Sequence, residues 1–153
     1  MEYRIARETD LNQLAELRWQ FRTDEDGELP LHSRSKFTSA CETSFREGLS
    51  SGTQAYWLAI ENDVIVSHVT VQKVPMVPRP CKISDFFGYI TNSYTLPNDG
   101  VKGSALMEYL IDWAHAEDLE LLIVWPSDRA VPFYRRLGFD ADSPLAPLGN
   151  EEE

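Results

Sequence analysis

Basic residues are scarce: 14 Lys and Arg stand against 25 Asp and Glu in 153 residues, for a formal net charge of −11. Affinity for a nucleic-acid backbone rests on Lys and Arg contacts to phosphate, so this balance argues against nucleic acid as a partner. Cysteine is scarcer still. Cys41 and Cys81 share no CxxC or Cys/His ligand spacing, and His32, His68 and His115 form no HExxH-like pair. A disulfide framework is therefore not expected, and no metal is assigned. No apolar run approaches the length of a membrane span, and the opening Met-Glu-Tyr-Arg lacks the basic and apolar regions of a signal peptide. The expectation is a soluble cytoplasmic protein with no membrane partner. The Gly-Lys-Ser/Thr of a phosphate-binding P-loop is also missing; Lys102-Gly103-Ser104 resembles it only superficially.

What is present is a globular composition, 42% hydrophobic and 11% aromatic, in a chain of one-domain length that can bury a sizeable core. Residues 1–148 read as a single domain and 149–153 as an acidic tail. The net acidity suits either a cationic substrate drawn to an acidic cleft or simple solubility.

The hydrophobic pattern predicts the elements in order. Glu2 to Ala6 reads as a strand. Thr9 or Asp10 caps a helix to about Arg22, with Leu11, Leu14, Leu17 and Phe21 near the helical period. Thr23 to Ser35 is an acidic loop around Gly27 and Pro30. A second helix carries Phe37, Cys41, Phe45 and Leu49 and ends within Gly48 to Gly52. Ala55 to Glu61 and Val64 to Val74 form an antiparallel hairpin about Asn62-Asp63, residues that tolerate positive φ. Within it His68 reads as a packed neutral imidazole or a proton acceptor. Pro75, Pro78 and Pro80 make 75–84 a connecting loop.

The chain is organised around Tyr89 to Phe139. A β-branched and aromatic run (Tyr89 to Thr95) meets a Pro/Asn/Gly turn, then a helix with Leu106, Leu110, Trp113 and Ala114 on one side. A second apolar run, Leu121 to Trp125, leads to a short helix that stops at Leu137-Gly138-Phe139. Backbone N–H groups around Gly100, Val101, Lys102, Gly103 and Ser104 could cradle an anion such as a pyrophosphate; simple turn punctuation is the alternative.

Ser127, Ala130, Phe133-Tyr134 and Leu137-Gly138-Phe139 together resemble the Asn/Ser-x-x-Ala-x-x-Phe-Tyr...Gly-Phe segment of the GCN5-related N-acetyltransferases, and the upstream layout fits over nearly the whole chain. The resemblance implies a mixed α/β fold: a central, mostly antiparallel sheet flanked by about four helices, with the fourth and fifth strands splayed. It implies acetyl-coenzyme A as co-substrate, its diphosphate at 100–104 and its arm along Ser93, Tyr94 and Thr95, with contacts from Ser127 and Phe133. The loop departs from the family pattern. With Gly103 at its last position, Val101 stands where the first Gly belongs and Asn98 where Gln/Arg belongs.

By the same resemblance, the end of the first helix borders the acceptor site, bringing in Trp19, Phe21 and Arg22. Tyr134 is the family-matched proton donor to the leaving thiolate. A phenol of pKa near 10 is closely matched to a thiolate of pKa near 8.5 or somewhat above. Asp85, at the start of the fourth strand, is the expected base. The implied reaction is acetyl transfer to the amine of a small-molecule or amino-acid-like acceptor, and a homodimer is a possible assembly. The alternative is a non-catalytic protein of the same fold serving as an acyl-coenzyme A sensor or interaction module.

Overall fold

The computed structural model describes residues 1–97 and 99–140. Asn98 and the expected acidic tail at 149–153 lie outside the described residues. Strand β1 is Glu2–Ile5, α1 Leu11–Gln20, α2 Arg34–Ser51, β2 Gln54–Glu61, β3 Val64–Pro75, β4 Phe86–Thr95, α3 Gly100–Ala116, β5 Leu122–Val124 and α4 Val131–Arg136. The strands form one sheet in sequence order, antiparallel except for the β4–β5 pair.

Both faces of β2 are covered, as its unbroken apolar run requires. On one face Trp57, Val69, Val71 and Ile90 pack against Leu106, Met107 and Leu110 of α3 and Tyr134 of α4. On the other, Tyr56, Leu58 and Ile60 meet Leu14 and Leu17 of α1. Leu106 and Leu110 are fully buried, and each contributes about 1.5–3 kcal/mol by leaving water. The β2–β3 hairpin turns on Asn62 (φ 51°) and Asp63 (φ 64°), both left-handed, the geometry that matches the twist of the flanking strands.

Several boundaries differ from the sequence reading. The first helix does not run regularly to Arg22: after Gln20 it widens into a π-helical turn over Phe21–Glu25. Asp10 does not cap α1 with its side chain. Its carboxylate instead accepts from Arg4 Nη1 at 2.6 Å and from the Arg7 backbone N–H at 2.7 Å. Gly48 lies inside α2, which ends at the left-handed Gly52 (φ 71°). Its missing side chain makes room for β2, since a Cβ there would sit 2.2 Å from the Tyr56 hydroxyl.

Candidate active site

The parallel β4–β5 pairing has three rungs, Gly88–Leu122, Tyr89–Ile123 and Ile90–Val124. Past the last rung β4 runs on to Thr95 while β5 stops, so the two strands part. The β3–β4 register adds to this. It jumps from His68–Tyr94 to Thr70–Thr91, setting Asn92 and Ser93 against the single residue Val69. Such a bulge bends the strand and leaves main-chain groups unpaired. Asn92 carries the bend at φ 48°, which asparagine tolerates better than most residues.

A cavity of about 680 Å³ opens at this split. One wall is β4 from Ile90 to Thr95, the next the start of α3 at Gly100, Val101, Gly103 and Ser104, and the last Val124 to Ser127 with Ala130, Phe133, Tyr134 and Arg136. At the head of α3, Asp99 makes no side-chain cap, and its carbonyl accepts from the N–H groups of Lys102 (2.9 Å) and Gly103 (3.1 Å). The N–H groups of Gly100 and Val101 have no acceptor among the described residues. Free amides at a helix N-terminus, beside the positive end of the helix dipole, suit an anion.

Gly103 sets the distance between this helix and β4. A Cβ on it would lie 2.6 Å from Thr95 Oγ1, which is engaged with Ser67 Oγ at 2.7 Å. At Tyr134 the ring is buried at 6% exposure and held edge-on by Phe133 (5.1 Å) and Phe139 (5.4 Å). Burial raises its phenol pKa, with the Ser93 hydroxyl acting the other way, so the phenol keeps its proton at neutral pH.

Of the residues singled out in the sequence, Ser93, Tyr94, Thr95, Gly100, Val101, Gly103, Ser104, Ser127, Phe133 and Tyr134 stand on the cavity wall. Lys102 does not. Its ammonium pairs with Asp99 (2.6 Å) and with Glu61 of β2, so it offsets the Asp99 carboxylate at the head of α3 and is held off the cavity wall.

Asp85 is likewise elsewhere. It sits five residues before the first β4 residue on the cavity wall, about 16 Å at strand rise. Its side chain is buried there and ion-paired with Arg79 (3.1 Å) and Lys82 (3.5 Å). A carboxylate facing two cations at the far end of the strand anchors the 76–84 loop; it does not reach the cavity.

The three residues expected on the acceptor side also separate. Trp19 packs against Phe37 of α2 at 5.4 Å, and Arg22 is tied to Glu28 (2.5 Å) and Asp26 (3.0 Å). Phe21 alone approaches the cavity, stacking on Tyr94 at 4.4 Å. Burial, with Glu25 and Asp24 nearby, raises the Tyr94 phenol.

Arg18 and Trp125 belong to this region and were not singled out, and the Asn92 side chain gains a part beyond its backbone. Arg18 Nη1 donates to Asn92 Oδ1 at 3.1 Å, a contact across 74 residues of chain. The available signal was an Asn interrupting a β-branched run. His68, paired with Tyr94 across the strands, is buried, and burial lowers its pKa to about 4, so it is neutral at pH 7. Among the described residues no group of three or more His, Cys, Asp or Glu side chains could hold a metal ion.

Comparison with known proteins places this geometry. No curated protein sequence matches the chain significantly. Solved structures share the fold: a predicted acetyltransferase from Clostridium acetobutylicum crystallised with acetyl-CoA is similar at 23% identity, over 96% of this chain and 94% of that one, with a TM-score of 0.74. A GCN5-related N-acetyltransferase from Ralstonia eutropha JMP134 is similar at 20% identity, over 95% and 96%, with a TM-score of 0.70. A transcriptional regulator from Bacillus halodurans C-125 is similar at 20%, over 96% and 97%, with a TM-score of 0.73. The family model for acetyltransferases of the GNAT type matches residues 11–139. With that match spanning most of the sequence, the chain belongs to the acetyltransferase (GNAT) family.

Proposed function

We propose that the protein is an acetyl-CoA-dependent N-acetyltransferase acting on a small amine or amino-acid-like acceptor. One observation carries this reading: a single cavity is lined by the free amides of α3, the unpaired stretch of β4 and a buried protonated phenol. The wall fits the co-substrate in kind, with anion-accepting amides at one end and Gly103 letting α3 sit close against Thr95 of β4. Bound acetyl-CoA supplies an acyl group activated as a thioester.

The protein's share is positional and electrostatic. Gly100 and Val101 amides offer hydrogen bonds to a diphosphate. Main-chain groups of Ser93 to Thr95, beyond the last β5 rung, offer strand-like bonds to an extended arm and an N–H to a polarised carbonyl. Tyr134 holds a proton for a departing thiolate. Two free cysteines, Cys41 and Cys81, suit a reducing compartment, and the cytoplasm is the proposed location. Among the described residues no helix is long and apolar enough to cross a membrane.

Isothermal titration with coenzyme A and acetyl-CoA tests the reading. Binding in the micromolar to millimolar range is expected, with a rise in melting temperature from mass action on the folded state. No heat at millimolar ligand would overturn it. The second reading, an acyl-CoA sensor without turnover, draws on Lys102 being committed to Asp99 and Glu61. It is distinguished by binding without amine-dependent thioester loss.

A further inference from the structure

On the α1 side of the split the protein shows two features that the cofactor reading leaves unused. The first is an apolar strip. Leu122 and Val124 pack into the α3-side core, so alternation turns Leu121, Ile123 and Trp125 to the opposite face. They remain 49%, 42% and 52% exposed there. Tyr89 lies beside Ile123 on β4, and Trp125 is part of the cavity wall. The strip therefore starts inside the cavity and runs out along the sheet. Surface hydrophobics that are contiguous and lead from a cavity mark a ligand groove more often than chance exposure.

The second feature is a guanidinium with no salt bridge among the described residues. Arg22, Arg34 and Arg46, on the same helical layer, are each paired with Asp or Glu. Arg18 is not. Its one side-chain hydrogen bond among the described residues is to the Asn92 amide oxygen, and Asn92 itself lines the cavity; Glu28, the carboxylate that feels its charge, is bonded to Arg22. Its remaining N–H donors are held at the bulge in the fork geometry that suits a carboxylate. Asp24 and Glu25 lie close enough to Tyr94 to raise its phenol and add negative charge on this side of the protein.

We infer that the acceptor is a small apolar α-amino acid, its carboxylate on Arg18, its side chain along Trp125, Ile123 and Tyr89, and its amine at the β4–β5 split. This rests on the transferase reading and names its substrate class. A polyamine would meet the Arg18 charge and leave the strip wet. A decarboxylated amine or an amino-acid amide would leave Arg18 unpaired.

Initial rates of thioester loss from acetyl-CoA, measured on the full chain with L-phenylalanine, L-leucine, phenethylamine, L-phenylalaninamide and spermidine, test the inference. The kcat/KM for L-phenylalanine is expected to exceed those for phenethylamine and the amide by about tenfold or more, the size of one charge-assisted contact. Arg18→Met should bring the phenylalanine-to-phenethylamine ratio to within about threefold, with Arg18→Lys intermediate. Trp125→Ala should raise KM for L-phenylalanine by about tenfold. Calorimetric titration with coenzyme A, expected unchanged in the two Arg18 variants, verifies that these are folded; for Trp125→Ala, whose side chain lines the cavity, an unchanged thermal unfolding midpoint does so.

If phenethylamine or spermidine outruns L-phenylalanine, or Arg18→Met leaves the ratio intact, the amino-acid assignment falls and the transferase reading stands. Turnover of none of these amines by a protein that binds coenzyme A overturns the assignment alone. Absence of both turnover and binding overturns the two together.

Discussion

Replacing Gly103 by Ala tests whether the head of α3 is set at the distance a diphosphate needs. The added Cβ meets Thr95 Oγ1 at 2.6 Å, whereas ordinary contact begins at 3.4 Å, so the helix must retreat by the difference, 0.8 Å. The other escape is rotation of Thr95, which breaks its 2.7 Å bond to Ser67. Ser67 is fully buried, and stranding its hydroxyl costs about 1–3 kcal/mol.

Alanine returns up to about 1 kcal/mol of helix propensity. Net stability should therefore fall by no more than about 3 kcal/mol, at about 2–4 °C of melting temperature per kcal/mol for a domain of this size. Binding should suffer more. An amide bond stretched by 0.8 Å from about 2.9 Å is no longer a hydrogen bond. Loss of one or two charge-assisted bonds lowers coenzyme A affinity by about tenfold to a few hundredfold.

The assay is isothermal titration on wild type, Gly103→Ala, Thr95→Ala and the double variant. Removing Oγ1 should return much of the lost affinity, giving a coupling energy of opposite sign to the Gly103→Ala loss. Coenzyme A affinity unchanged within about twofold in Gly103→Ala would refute the idea that α3 is held against β4 for this purpose.

Three further outcomes are expected. Tyr134→Phe should keep the fold and coenzyme A binding while lowering kcat by about 10²- to 10⁴-fold, as read from amine-dependent thioester loss. His68, depressed to about 4 by burial, is protonated in the unfolded chain below its ordinary value near 6.5 but not in the folded one. Stability should therefore be complete above pH 6.5 and decline as pH falls toward 4, by about 3 kcal/mol in total. His68→Gln should flatten that part of a denaturant-midpoint against pH curve. Asp85→Asn should destabilise by about 1–3 kcal/mol in urea, through loss of the buried partner of Arg79 and Lys82, with kcat unmoved.

The elements were legible wherever local chemistry dictates local shape. Alternation in Tyr56 to Ile60, the left-handed pair Asn62-Asp63, and the Gly-Phe close after α4 act over a few residues and need no distant partner. The same holds for Tyr134 and Phe133, which share one turn of helix and lie together on the cavity wall.

Charged groups were not legible. Lys102 turns to Glu61, 41 residues away, and Asp85 turns to Arg79 and Lys82 across a loop rich in proline. A charge settles on the nearest compensating charge in space, and period and spacing do not report that distance.

The sequence by itself determined which residues are apolar on which face, where the chain turns, and hence one sheet with helices on both sides. Only the tertiary structure decided that β4 bulges at Asn92 and leaves β5 after three rungs. Nor could local pattern reveal that Arg18 comes to rest on that bulge, hydrogen-bonded to Asn92. Burial and backbone preference are summed locally along the chain, whereas a cavity exists only between segments that folding has brought together.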